Sequence, residues 1–185
     1  RYGSIERRGQ IKNHVSIEKR PEIVDLRSRV GDWEADTVIG KQGHSVLVTL
    51  VERKTRFTVA IKSANKTAQA VTDAICENLK PYQDRVLTLT YDNGREFAYH
   101  EEIASKLMAL GFFAHPYHFW EWGLNENTNG LIRQYIPKGK DIDTLSDEYV
   151  AEIVEKINNR PRKCLGFKTP NQLFIGHQQP VAMAS

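Results

Sequence analysis

From Trp33 onward, apolar and polar positions fall into regular periods. WEADTVIG at 33–40 reads as a strand closed by Gly40 and Gly43. SVLVTLVE at 45–52 is a second strand, apolar on both faces, and RKTR at 53–56 is a polar turn. In FTVAIK, 57–62, Phe57, Val59 and Ile61 alternate with small or polar residues, which makes a third strand. Short links between the three predict an antiparallel meander. Thr67 is placed to cap a helix in which Val71, Ala74, Ile75 and Leu79 recur at helical spacing up to Pro81. VLTLTY at 86–91 is a fourth strand, and Asp92-Asn93-Gly94 ends it with a turn signal. A helix is expected over 98–110 with Gly111 as its stop, then a short strand FFAH at 112–115. Further helices are expected over about 121–135, over about 145–158 with Thr144 or Ser146 as cap, and over 169–174 with Pro170 at the first position.

The order β-β-β-α-β-α-β-α-α predicts an α/β domain: a mixed five-stranded sheet with helices on its faces. Right-handed crossovers place the first and fourth strands side by side. Residues 1–30 show little periodicity and read as a loosely ordered basic arm or linker, with a short helix near 21–29. Residues 31–176 form the expected core, and 177–185 a tail.

Charge sharpens this division. Residues 1–30 carry a net +4, residues 31–130 a net −3 and residues 131–185 a net +2. An acidic centre between basic flanks is either ordinary solvated surface or a metal site beside a polyanion-binding rim. The two cysteines, Cys76 and Cys164, lie far apart with no CxxC pattern, which excludes a zinc finger or a disulfide scaffold and suits a reducing cytosol. No apolar run approaches the ~20 residues of a membrane helix. The chain opens on Arg1 rather than Met, without a signal-peptide pattern, and a domain upstream is compatible with that start.

Three acids stand out by position. Asp36 lies inside an apolar strand, where a carboxylate is disfavoured without a partner or a metal. Asp92 ends the neighbouring strand, and Glu126 lies on the helix after Gly123. One carboxylate from each of three elements suits a hard divalent cation, which takes oxygen ligands and keeps waters for a phosphate substrate. Each acid also has a plainer reading: Asp92 as part of a turn, Glu126 as an exposed helix acid. Asp32 and Glu34 are expected on the opposite face of the strand, outside any site. The acidic run at 141–148 reads as helix capping rather than a calcium loop, Trp33 as core, and His115 as structural.

With fifty-five residues between Asp36 and Asp92 and thirty-three between Asp92 and Glu126, the sequence resembles the DDE transposases and integrases. WEADT resembles their Trp-x-x-Asp-x-Thr, and YDNGREF at 91–97 their Asp-Asn-Gly-x-Glu-Phe. Gly123, Glu126 and Asn129 resemble Gly-x-x-Glu-x-x-Asn, and NNRPRKCLGFKTP at 158–170 resembles the C-terminal Asn-x-Arg-Pro signature. NENTNGLIRQYIPKG at 125–139 is similar to bacterial insertion-sequence transposases of the thirty-numbered family.

The resemblance implies an RNase H-like fold and two Mg²⁺ or Mn²⁺ ions held by Asp36, Asp92 and Glu126. It also implies cleavage at transposon ends followed by transfer of the 3′-hydroxyl into target DNA. A DNA partner, a homodimer or higher multimer, and the bacterial cytosol follow from it. Rival readings are a nuclease of the same fold and a non-catalytic DNA-binding or assembly module. HFWEW at 118–122 departs from the pattern: Phe119 stands where a small residue is expected and Trp122 where a basic one is. The family's helix-turn-helix is not seen in this sequence.

Around this centre, Arg133, Lys138 and Lys140 are candidate phosphate contacts. Asn129 and Trp122 are candidate DNA contacts, and Trp120 a base-stacking or core residue. Asn93 and Asn125 are expected to orient the metal-binding acids from behind. Arg160 and Arg162 are left open between DNA and helix acids.

Overall fold

The computed structural model describes residues 11–41, 45–115 and 123–176. Five strands form one mixed sheet: β1 Asp32–Ile39, β2 Val46–Glu52, β3 Thr58–Ser63, β4 Thr88–Tyr91 and β5 Leu110–Phe113, in the order β3-β2-β1-β4-β5. β1, β2 and β3 pair antiparallel as a meander, whereas β4 runs parallel to β1 and to β5. The expected adjacency of the first and fourth strands is therefore present, with Ala35 paired to Tyr91.

Helices cover both faces. α2 Ala68–Leu79 and α3 His100–Leu107 contribute to a core with Trp33, Ala35, Val48, Leu50, Leu89 and Tyr91. α4 Gly123–Ile132 and α5 Asp147–Asn158 contribute to a second core with Val38 and Leu47. Odd-numbered β1 residues face the first layer and even-numbered ones the second, as a period of two requires. α1 Glu22–Asp25 and α6 Pro170–Phe174 are short. Phe174 is fully buried and meets Trp33 edge to face at 5.6 Å, and the Trp33 indole N–H donates to the Arg85 carbonyl.

The predicted caps hold at Thr67 and Ser146, and Thr169 caps the last helix as well, each side chain accepting a first-turn amide. In the acidic run, the Asp141 side chain accepts the Asp143 amide and Ser146 caps α5, in keeping with the capping reading. Two expectations change. The third helix ends at Leu107, and Met108 supplies the left-handed cap at φ 53°. Gly111 lies inside β5 instead, beneath the Tyr91 ring, where an added Cβ would come within 3.1 Å. Residues 11–30 also differ from a loosely ordered arm. The Phe113 amide donates to the Val15 carbonyl, Ile17 and Val24 are buried, and the Arg20 guanidinium reaches the Thr90 hydroxyl at 2.9 Å. The few apolar residues of this segment, together with one buried arginine, fix it to the sheet.

Candidate active site

The parallel register sets the centre. Ala35 pairs with Tyr91, so the next residue on each strand, Asp36 and Asp92, emerges at the same end of adjacent strands. Neighbouring strands lie ~4.8 Å apart, which brings two carboxylates together. α4 packs over β1 and β2 and carries Glu126 in its first turn. The three acids line one cleft of about 550 Å³, together with Asn129, Gly130, Arg133 and Lys138.

Each aspartate is held. One Asp36 oxygen accepts the Thr37 amide at 2.7 Å, and the other accepts the Asn129 side-chain amide at 2.7 Å. Asn129 in turn accepts the Thr49 hydroxyl at 3.2 Å, from the β2 residue paired with Asp36. Both polar ends of Asn129 are therefore engaged in fixing Asp36. The Asp92 carboxylate accepts the Gly94 amide at 2.8 Å. The Asn93 side chain turns away from the acids and donates to the Ala114 carbonyl at 2.7 Å, tying the turn to the end of β5. Gly94 is needed for space: a Cβ there would lie 2.5 Å from a Glu96 oxygen and 2.8 Å from an Asp92 oxygen.

Electrostatics reflect crowding of negative charge. Burial pushes the Asp36 carboxyl up to about 6, helped by Asp92 and Glu96 and opposed by its two hydrogen bonds. Asp92 is raised as well, first by burial and then by Glu96, with Lys66 and the Gly94 amide opposing. Glu96 is a fourth acid that the sequence reading passed over. It is buried, accepts the Thr37 hydroxyl at 2.8 Å and pairs with Lys66 at 2.9 Å. The available signal was its place four residues after Asp92, in the same motif.

Among the described residues, no group of three or more His, Cys, Asp or Glu side chains stands ready to hold an ion. Convergence of the three acids thus takes the form of a shared cleft rather than a closed cage. Asp36 and Asp92 are half-buried, and Glu126 is exposed.

The predicted basic residues separate. Arg133 and Lys138 line the cleft, and Arg133 donates to the Ile39 carbonyl at 2.6 Å while its other terminal nitrogen is buried without a partner. Lys140 lines a neighbouring hollow with Tyr135, Ser146 and Tyr149, and its carbonyl accepts the Lys41 amide. Trp120, Phe119 and Trp122 lie outside the described residues. Asn125 is fully buried, and its side-chain amide finds no partner.

Asp32 and Glu34 do not take the opposite face expected of them. Residues two apart share a strand face, so both lie on the α4 side with Asp36. They are nonetheless engaged elsewhere: Asp32 with Arg29 and the Thr88 hydroxyl, Glu34 with Arg53. Arg160 donates to Gln134 and Arg162 to the Ile157 carbonyl.

Comparison with known proteins agrees with this geometry. Residues 28–118 match the family model described as integrase core domain. The chain is 48% identical to a transposase for insertion sequence element IS4351 of Bacteroides fragilis, over 96% of this chain and 55% of the relative. It is 36% identical to transposase InsI for insertion sequence element IS30A of Escherichia coli K12, over 89% of this chain and 43% of the relative. The chain thus spans about half the length of such curated relatives. The catalytic core domain of BIV integrase superposes with a TM-score of 0.62 at 19% identity, covering 81% of this chain and 97% of that one. This likeness shows the RNase H-like fold.

Proposed function

Since the chain belongs to the insertion-sequence transposases with an integrase core domain, we propose that it is the catalytic domain of a DNA transposase. It would cut at transposon ends and transfer the freed 3′-hydroxyl into target DNA. The observation that carries this reading is the pairing of β1 with β4, which delivers Asp36 and Asp92 side by side into the cleft that Glu126 also lines.

The donor set fits a hard divalent cation. It consists of carboxylate oxygens, and the raised proton affinity of Asp36 and Asp92 marks an unmet demand for positive charge. Asp36, Asp92 and Glu126 would hold two Mg²⁺ or Mn²⁺ ions. When bound, these would activate the attacking hydroxyl and neutralise charge on the scissile phosphate. The chain's own residues supply the rest. Asn129 and Thr37 fix the Asp36 carboxylate, and the Gly94 amide fixes Asp92. Arg133 and Lys138 line the cleft, where a DNA phosphate would meet them.

The core would run over 31–176, with 11–30 packed against it. DNA would be the substrate. Joining two ends to one target requires more than one active site, so a homodimer or higher multimer is proposed. Among the described residues no helix is long and apolar enough to cross a membrane.

The test is cleavage of an intact end duplex and strand transfer from a pre-cut one, each with Mg²⁺ or Mn²⁺. Asp36→Asn, Asp92→Asn and Glu126→Gln should each abolish both reactions while leaving the fold intact. Cleavage without strand transfer would point to a nuclease, and full activity in any of the three variants would refute the site.

A further inference from the structure

Glu34 is fully buried, as is its partner Arg53, which is 3% exposed. One Glu34 oxygen accepts the Arg53 guanidinium, and that guanidinium also donates to the Val24 carbonyl at 3.2 Å. The other Glu34 oxygen accepts the backbone amide of Asn125 at 3.3 Å. Asn125 lies in the first turn of helix α4, Gly123–Ile132, where backbone amides need an acceptor from outside the helix. Glu34 thus supplies both an acceptor and a negative charge to the end of the helix that favours anions.

The spacing makes this more than a local bond. Glu34 and Asp36 are two residues apart on one strand face, a span of ~6.6 Å. Asn125 and Asn129 are four apart on one helix face, a span of ~6 Å. The two spans match, so β1 and α4 are fastened at two points in register: Glu34 to the Asn125 amide and Asp36 to the Asn129 side chain. Glu126 follows Asn125 directly. Of the two fastenings, only the one at Glu34 is free of the proposed chemistry, because Asp36 also faces the cleft.

We infer that Glu34 is a positioning residue: held by Arg53, it anchors the start of α4 through the Asn125 amide and so sets where Glu126 stands relative to Asp36 and Asp92. This rests on the reading of those three acids as the catalytic set.

The test compares two variants of the full chain that both remove the buried ion pair at nearly constant volume. E34Q/R53Q retains an oxygen acceptor for the Asn125 amide, whereas E34M/R53M does not. In a Mn²⁺-dependent nicking assay on plasmid DNA, E34M/R53M should lose ~10²-fold in kcat, the scale of a 1 Å misplacement, with KM for DNA little changed. E34Q/R53Q should recover most of that loss at a similar melting temperature. Equal loss in both variants, or wild-type kcat in E34M/R53M, would overturn the inference.

Amide hydrogen exchange on the wild-type chain decides the matter even if E34M/R53M fails to fold. Asn125 should exchange much more slowly than Gly123 and Leu124, and exchange as fast as theirs overturns the proposal. Failure of the functional reading is separately visible, as an inactive wild type or an active Asp36→Asn, and leaves the exchange result standing.

Discussion

Asp36 concentrates the tension of this site in one carboxyl. Burial, with Asp92 and Glu96 nearby, raises its folded-state value to about 6 from an ordinary 3.8. A group whose folded value is raised holds a proton in the native state that the unfolded chain has already released. Without metal, the stability contributed by Asp36 should therefore be largest below about 4, fall as pH rises through about 6, and be lost above. The slope of urea-unfolding stability against pH checks this, and Asp36→Asn should flatten it and raise the melting temperature at pH 7. Mg²⁺ binds only the ionised, folded site, so it should raise the melting temperature at pH 7 but much less at pH 5. A rise in wild type that persists unchanged in Asp36→Asn would place the ion elsewhere. At this scale the acids were legible because an acid in an apolar strand and an acid after a strand each need a reason. Glu96 and Lys66 were not, because their pairing joins the β3–α2 link to the turn after β4, a contact that no local period reports. Glu34 was placed on the wrong face although strict alternation assigns it to the face of Asp36.

Elements were legible where a period ran long enough to speak. The β1–β3 meander, α2 and α5 follow from alternation and from helical spacing with a capping residue. The misses sit at ends and edges. Gly111 suggested a helix stop, but the helix closes one turn earlier on Met108, and glycine in β5 answers instead to the Tyr91 ring above it. β3 is an edge strand, and the unpaired hydrogen-bonding row of such a strand is a hazard for pairing with other chains. Asn158 blunts it from the end of α5: its side chain accepts the Thr58 amide at 2.9 Å and donates to the Thr58 carbonyl at 2.8 Å. This contact spans a hundred positions and leaves no trace in sequence period. Asn158→Ala removes both bonds and strands two buried backbone groups, so it should cost about 1–3 kcal/mol in chemical denaturation. Activity per folded molecule should be unchanged, because the clamp lies away from the acid cleft. A neutral effect on stability would mean that the edge is covered by packing alone.

Across the whole molecule, charge is arranged by depth as much as by segment. Asp36 and Asp92 are half-buried and Glu126 is exposed in a cleft that Arg133 and Lys138 also line, while Lys140 lines a different hollow. Sequence spacing treats Lys138 and Lys140 alike, but the fold does not. Both are exposed cations able to meet a DNA backbone, so reversing either to Glu should weaken duplex binding for all sequences about equally. Each should lessen the salt slope by ~1. Only Lys138→Glu should also slow cleavage at saturating DNA, because only that side chain shares the cleft with the reacting phosphate. Phosphate contacts position a protein on DNA without reading it. The cations of this cleft therefore predict weak binding with little sequence choice. Titration of an end duplex against scrambled DNA at several salt concentrations measures both quantities. A preference beyond ~10³-fold, where specific recognition begins, would show that this domain reads bases itself, and would move the search for the reading residues to the rim of the cleft.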